Sequence, residues 1–459
     1  MNLIKRYFSG YKRPGGINDL LVLAFPMMVS TASDGVMTFT DRLFLARLGP
    51  DQMNAALGGG LTFQMLTFFF IGLSGYSTAL VAQYYGAGKL TKAPKVTFQA
   101  ILVVLLAWPF INALNPLVNH IFLNANLPVN QVGHQIDYLR ILSLGGIFSL
   151  LRHVLGCYFT GIGKTRIVMT STIVAMVFNV VLDYGLIFGK LGLPALGVKG
   201  AAYATITGSA AAVLMLLVPY FSHRNKVVFA VMQSFRFDGR IMKKLLHFGY
   251  PAGLEFLLNF VAMFIMTLMF QSRGTAAATA TTIMFNWDLV SFIPLLGVEI
   301  AVTSLVGRYM GAKRPQAAHR AALSAIKVGL LYSVVVLVLF VFIPETLVRV
   351  FHPATPSQAF EEAVPMAKTM IRIASIYVLA QAFMVAMIGT LRGAGDTFYT
   401  MMLSVAANWS FLPLVYVTLF LMNLSVTWAW LAIVLVYMLF GFAIFRRFKT
   451  EKWKTIKVI

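Results

Sequence analysis

Long apolar runs, at approximately 18–41, 53–84, 96–115, 136–160, 167–188, 200–221, 245–271, 276–306, 321–343, 368–391, 397–421 and 424–445, take up most of the chain. About 20 helical residues cross the hydrocarbon core of a bilayer. In lipid every backbone N–H and C=O needs an internal partner, and runs this long meet that need as helices. Composition agrees: 59% of the residues are hydrophobic and 11% charged, with mean hydropathy +0.80, where soluble domains are about 25% charged. The expected fold is an all-α membrane protein with twelve transmembrane helices. The leading MNLIKRYFSGYKRPGG is basic. The apolar run after it is too long for a signal-peptide core and lacks a small-x-small cleavage site, so it is expected to stay as the first span.

A net charge of +22 invites a nucleic-acid reading, but the distribution opposes it. The two tails and the even-numbered loops hold 26 Lys and Arg; the odd-numbered loops hold 7. That alternation is the positive-inside pattern and puts both termini in the cytoplasm of a bacterial inner membrane. The basic residues then set topology and touch anionic lipid headgroups; nucleic acid is not an expected partner. A single cysteine, Cys157, excludes an intrachain disulfide. The histidines show no zinc spacing. TGIGKT (160–165) resembles the end of a phosphate-binding loop, but that pattern needs glycine where this chain has Tyr158. No nucleophile is paired with a base, and no enzymatic activity is expected.

The chain repeats itself. A shift of 225 residues carries Pro26 onto Pro251 and GLSGYSTALVAQYYGA (72–87) onto GVEIAVTSLVGRYMGA (297–312), with seven of sixteen positions identical. A shift of 232 carries TGIGKT onto RGAGDT (392–397). The expected organisation is a cytoplasmic N-terminus (1–17), an N-lobe (18–221), a basic linker (222–244), a C-lobe (245–445) and a basic tail (446–459). Six spans per copy make the copies parallel, and transporters built this way bind substrate between or within the halves.

Of fifteen acids, nine fall in loops, tails or helix ends; Asp34, Asp41, Asp183, Glu255, Asp288 and Glu299 lie inside apolar runs. A mid-span acid costs roughly 2.5–3.5 kcal/mol on insertion scales and marks a functional candidate. Asp34 and Asp41 are about two turns apart on nearly one face of the first helix. Pro26, upstream of both, removes a backbone donor and marks a hinge. Asn179 and Asp183, four apart, share a face.

Pro26 with Asp41, LVAQYYGAGK (80–89) with its partner LVGRYMGAKR (305–314), and the tract NVVLDYGLIFGKLGLPALGVKGAAYAT (179–205) together resemble the multidrug and toxic compound extrusion (MATE) family over nearly the whole chain. The resemblance implies two pseudo-symmetric six-helix lobes. It also implies export of small organic, often cationic, compounds driven by inward protons or sodium, with no other cofactor. It carries over a cation or proton site of Asp41, Asn179, Asp183 and Thr205; Asp34, on the same helix as Asp41, departs from the family pattern and is a further candidate acid. Carboxylate, amide and hydroxyl oxygens suit sodium or a proton shared between acids. Some relatives add an Asn from the fourth helix; here LLRHVLGC (150–157) offers Arg152 and His153 instead, a departure that favours protons. In the C-lobe, members that couple there carry an acid at the position of Asn259. This chain has Glu255 one turn earlier, Asp288 and Glu299 on the next helix, and Gln381 where an acid is usual. A rearranged coupling site or a salt-bridge network is expected, with Arg372 pairing one of the acids. A lipid-linked or amphipathic metabolite flippase is the alternative, and a monomer is the expected state.

Overall fold

The computed structural model describes residues 13–124, 128–352 and 358–459. None of these is in a strand. Among the described residues, twelve helices are long and apolar enough to cross a membrane: α1 Ile17–Ala46, α2 Asp51–Gly86, α3 Lys92–Leu123, α4 Gln131–Gly161, α5 Thr165–Phe188, α6 Val198–Tyr220, α7 Gly239–Gln271, α8 Thr275–Gly311, α9 Pro315–Phe342, α10 Phe360–Ala394, α11 Thr397–Leu421 and α12 Val426–Lys449. The chain is a multi-pass membrane protein.

Most of these helices outrun their apolar stretches. Run-counting ended the tenth span at 391 and left Arg392 in a loop; α10 instead continues to Ala394 with Arg392 inside it. A charge can sit in a span when a partner neutralises it there. α1 runs as one helix through Pro26. α2 breaks at Tyr76, between Pro50–Gly75 and Ser77–Gly86. Beside the break, His153 Nε2 lies 3.1 Å from the Ile71 carbonyl oxygen.

Cα packing divides the chain into two units. An N-unit comprises Phe25–Leu254, Gly307–Lys313 and Val458–Ile459; a C-unit comprises Met1–Ala24, Glu255–Val306 and Arg314–Lys457. In the N-unit the basic linker is ordered against α3. Buried Gln99 donates to the Arg236 carbonyl (3.0 Å) and accepts from the Asp238 N–H (3.3 Å). In the C-unit one apolar core joins α7, α8, α9, α10, α11 and α12 through residues such as Phe270, Met284, Phe340, Met370, Phe411 and Trp430.

The duplication is visible in packing. A Cβ on Gly161 would lie 2.9 Å from the Thr78 carbonyl oxygen in the N-unit, and one on Gly393 would lie 2.5 Å from the Thr303 carbonyl oxygen in the C-unit. Gly161 and Gly393 are repeat partners, as are Thr78 and Thr303. The same helix-to-helix approach is thus built twice. Polar stitches recur too: Ser30 bonds Thr172 (2.8 Å) in the N-unit, and Asn259 donates to Ser404, the repeat partner of Thr172, at 2.8 Å in the C-unit.

Candidate functional site

Three helices of the N-unit bring one polar cluster together. α1 supplies Asp41, α5 supplies Asn179 and Asp183 one turn apart, and α6 supplies Thr205. Asp41 is 8% exposed, and Asn179 and Asp183 are fully buried. The Asn179 amide lies 3.4 Å from Thr205 Oγ1, which donates to Asp41 Oδ2 at 3.1 Å. The Asp41 and Asp183 carboxyls stand at hydrogen-bonding approach to each other. Ionised carboxylates only accept, so that approach forms no bond until something electropositive enters. Accordingly Asp41 Oδ1, Asn179 Oδ1 and both Asp183 oxygens are buried with no hydrogen-bond partner among the described residues. Among the described residues neither acid makes an ion pair with Lys or Arg. The basic group acting on Asp41 is Arg42, which is exposed.

Tyr138 of α4 lies in the neighbourhood of this cluster. It is buried and within Coulombic reach of both acids. One tyrosine among seventeen in an apolar chain carries no sequence signal of this role.

Asp34 does not join the cluster by any hydrogen bond. Its Oδ1 accepts from Arg152 Nη1 of α4 at 2.8 Å, with side chains 45% and 22% exposed respectively.

The C-unit acids are arranged differently. Arg392 is 16% exposed and bridges Glu255 of α7 (2.8 Å) and Glu299 of α8, with its guanidinium over the Phe256 ring at 5.6 Å. The expected partner was Arg372, and that assignment is corrected: Arg372 faces outward and makes no ion pair among the described residues. It sits on α10 nearly six turns before Arg392, too far along the helix to reach the same acids. Asp288 of α8 accepts a hydrogen bond from the Tyr377 hydroxyl. Asn259 is taken by Ser404, and Gln381 is buried with its Oε1 unpartnered. These residues form separate polar contacts rather than one cluster.

The repeat gives an internal comparison. The shifts of 225 and 232 residues carry Asp41 to Met266, and Asn179 and Asp183 to Phe411 and Val415. All three are buried in the apolar core of the C-unit. The architecture therefore packs at these positions without any polar group.

Known proteins resemble the chain throughout. A probable multidrug resistance protein NorM of Thermotoga maritima is 24% identical over 94% of this chain and 92% of its own length. The multidrug resistance protein PmpM of Pseudomonas aeruginosa is 27% identical over 87% and 83%. Among solved structures, a Pyrococcus furiosus protein described under "Reverse polarity of binding pocket suggests different function of a MOP superfamily transporter" superposes with TM-score 0.87, covering 95% of this chain and 96% of that one at 21% identity. The MatE family model matches residues 26–185 and 251–417, one block in each half of the repeat. With twelve spans, a duplicated helical architecture and that match over both halves, the chain belongs to the MatE family of multidrug efflux transporters.

Proposed function

We propose that the chain is a secondary antiporter of the bacterial inner membrane, with both termini cytoplasmic. In this reading it exports organic, often cationic, compounds against inward protons or sodium ions, and coupling resides at Asp41 and Asp183. One observation carries it. The acid pair of the N-unit is uncompensated by Lys or Arg among the described residues, and the repeat positions of Asp41, Asn179 and Asp183 are filled by Met266, Phe411 and Val415 in an apolar core. Two like charges 4 Å apart repel by about 4 kcal/mol at an effective dielectric of 20. A proton or small cation between the oxygens of Asp41 and Asp183 would relieve repulsion of this kind. Asp41, Asn179, Asp183 and Thr205 offer oxygen donors alone, as a hard cation or a shared proton requires. Where some relatives add an Asn from the fourth helix, α4 here carries Arg152, which pairs with Asp34, and His153, which lies beside the Ile71 carbonyl. That donor set favours the proton.

Binding and release of the ion change the charge on α1 and α5, and Pro26 gives α1 a place to bend in response. The C-unit acids are already answered by Arg392 and Tyr377, so they have less need of an exchangeable ion. The test is transport. Reconstituted vesicles loaded with an organic cation are given a proton or a sodium gradient in turn. Efflux driven by one of them, and lost in a folded Asp41→Asn variant, is the expected result. Undiminished gradient-driven efflux in that variant would remove Asp41 from the mechanism.

A further inference from the structure

The linker between α6 and α7 is a folded segment with a short helix, His223–Val228, and a 3-10 turn, Val231–Ser234. Its inner side is fixed. Asn225 is fully buried and donates to the Pro219 carbonyl at 2.9 Å, and buried Phe229 stacks on Tyr85 with ring centroids 6.2 Å apart. Yet Val227, Met232 and Phe237 are 67, 59 and 68% exposed. The exposed cations Arg224, Lys226, Arg236, Arg240 and Lys243 interleave with them along the segment. Large apolar side chains beside Lys and Arg suit the headgroup and acyl boundary of a bilayer better than water. Both ends of the linker join spanning helices, which holds it at the membrane surface.

The basic groups around the linker lack acids. Lys244 lies within Coulombic reach of Lys92 and Lys89, and Lys164 within reach of Arg224. Among the described residues none of these makes an ion pair. Burial, and then the neighbouring Arg224, lower the Lys164 ammonium from its ordinary pKa. Asp238, the one acid of the linker, is committed to the start of α7: its Oδ1 accepts from the Arg240 and Ile241 N–H groups, each at 3.1 Å. Like charges held together without an acid repel, and an anion relieves that repulsion.

We propose that the linker docks anionic phospholipid, with headgroup phosphates held by Lys244, Lys92 and Lys89 and by Lys164 and Arg224, while Met232 and Phe237 enter the acyl boundary. A soluble phosphate gains nothing from the apolar side chains. A zwitterionic lipid brings its own ammonium group, which the lysines repel. The preference is therefore for lipids of net negative charge, and it holds whichever ion drives transport.

The test attaches an NBD fluorophore to the full chain carrying Phe237→Cys and Cys157→Ala. The protein is reconstituted in symmetric vesicles of phosphatidylcholine and phosphatidylglycerol, so the direction of insertion does not matter. A nitroxide on the acyl chain of one lipid or the other, at equal mole fraction, quenches the probe. Blue-shifted emission is expected, with quenching by the phosphatidylglycerol probe about twofold or more above that by the phosphatidylcholine probe. Each basic residue near an anionic surface contributes about fivefold in binding. Lys89→Gln, Lys92→Gln, Lys244→Gln and Arg224→Gln together should thus bring the two lipids to parity while the emission stays blue. If that variant misfolds, sodium chloride added to the labelled parent should shrink the preference instead. Water-like, unquenched emission would overturn the proposal. So would equal quenching by the two lipids in the parent, or a preference that survives both neutralisation and salt. Sodium phosphate that erases the preference at an ionic strength where sodium chloride leaves it intact would assign the site to a soluble anion, and would overturn the proposal too.

Discussion

Asp183 has both carboxylate oxygens out of water with no donor on either, and Val415 fills its repeat position in the C-unit core. Replacing a buried ionic group by an apolar one of similar volume is often neutral, or stabilising by about 1–4 kcal/mol. Asp183→Val should therefore fold, melt at or above the wild-type temperature in detergent, and lose ion-driven efflux. A large drop in melting temperature would show that the acid serves packing instead. Arg392 should behave in the opposite way. Arg392→Met leaves Glu255 and Glu299 buried and facing each other without their counter-charge, and should cost about 3–5 kcal/mol. Adding Glu255→Gln and Glu299→Gln to it should recover most of that loss in the same melting assay. The six intramembrane acids were legible one by one, because acids are rare in such a chain. Which cation answers each was not. Partner choice across helices depends on rotation and register that an apolar run does not encode, so the sequence points to Arg372, leaves Arg392 in a loop, and carries no signal of the Asp34–Arg152 pair.

At the scale of helices, close approach decides stability. The Cβ that alanine would add at Gly393 meets the Thr303 carbonyl oxygen at 2.5 Å, and backbone cannot yield as a side chain can. Gly393→Ala should lower stability by about 1–3 kcal/mol, the usual cost of overpacking, read as a fall in melting temperature; an unchanged melt would contradict the packing described. Helix existence and order were legible from apolar runs, because lipid leaves the backbone no alternative. Helix ends were not, because a paired charge extends a helix past the point where hydropathy falls. Arg392 is one case. Asp396 does lie between helices, just before α11, as expected; its burial (7% exposed) and its two bonds from Arg447, at 2.8 and 3.2 Å, have no signal in the sequence. Of the N-unit cluster, Asp41 and Asp183 are legible as acids in apolar runs and Asn179 by its spacing from Asp183, whereas Thr205 needs the family resemblance. Tyr138 needed the structure, since its approach to the acids is purely tertiary.

For the whole molecule, one six-helix plan is used twice with different chemistry. The sequence showed the duplication through its glycines and prolines, because backbone contacts tolerate few substitutions. It did not show that the halves had diverged into an open acid pair and an arginine-neutralised pair, since both are made of acids in apolar runs. The charge distribution predicts that reporters fused at either end remain on the cytoplasmic side, which can be scored by periplasm-dependent against cytoplasm-dependent reporter activity. The central claim is that the N-unit pair alone is exchanged with an ion during transport. Its most direct test is gradient-driven efflux of an organic cation from proteoliposomes, with uptake of protons or sodium recorded in the same vesicles. The account predicts that Asp41→Asn and Asp183→Asn each abolish coupled ion uptake, and that the Glu255→Gln, Glu299→Gln, Arg392→Met triple variant retains it. Coupled uptake that survives both N-unit variants and disappears in the triple variant would contradict it.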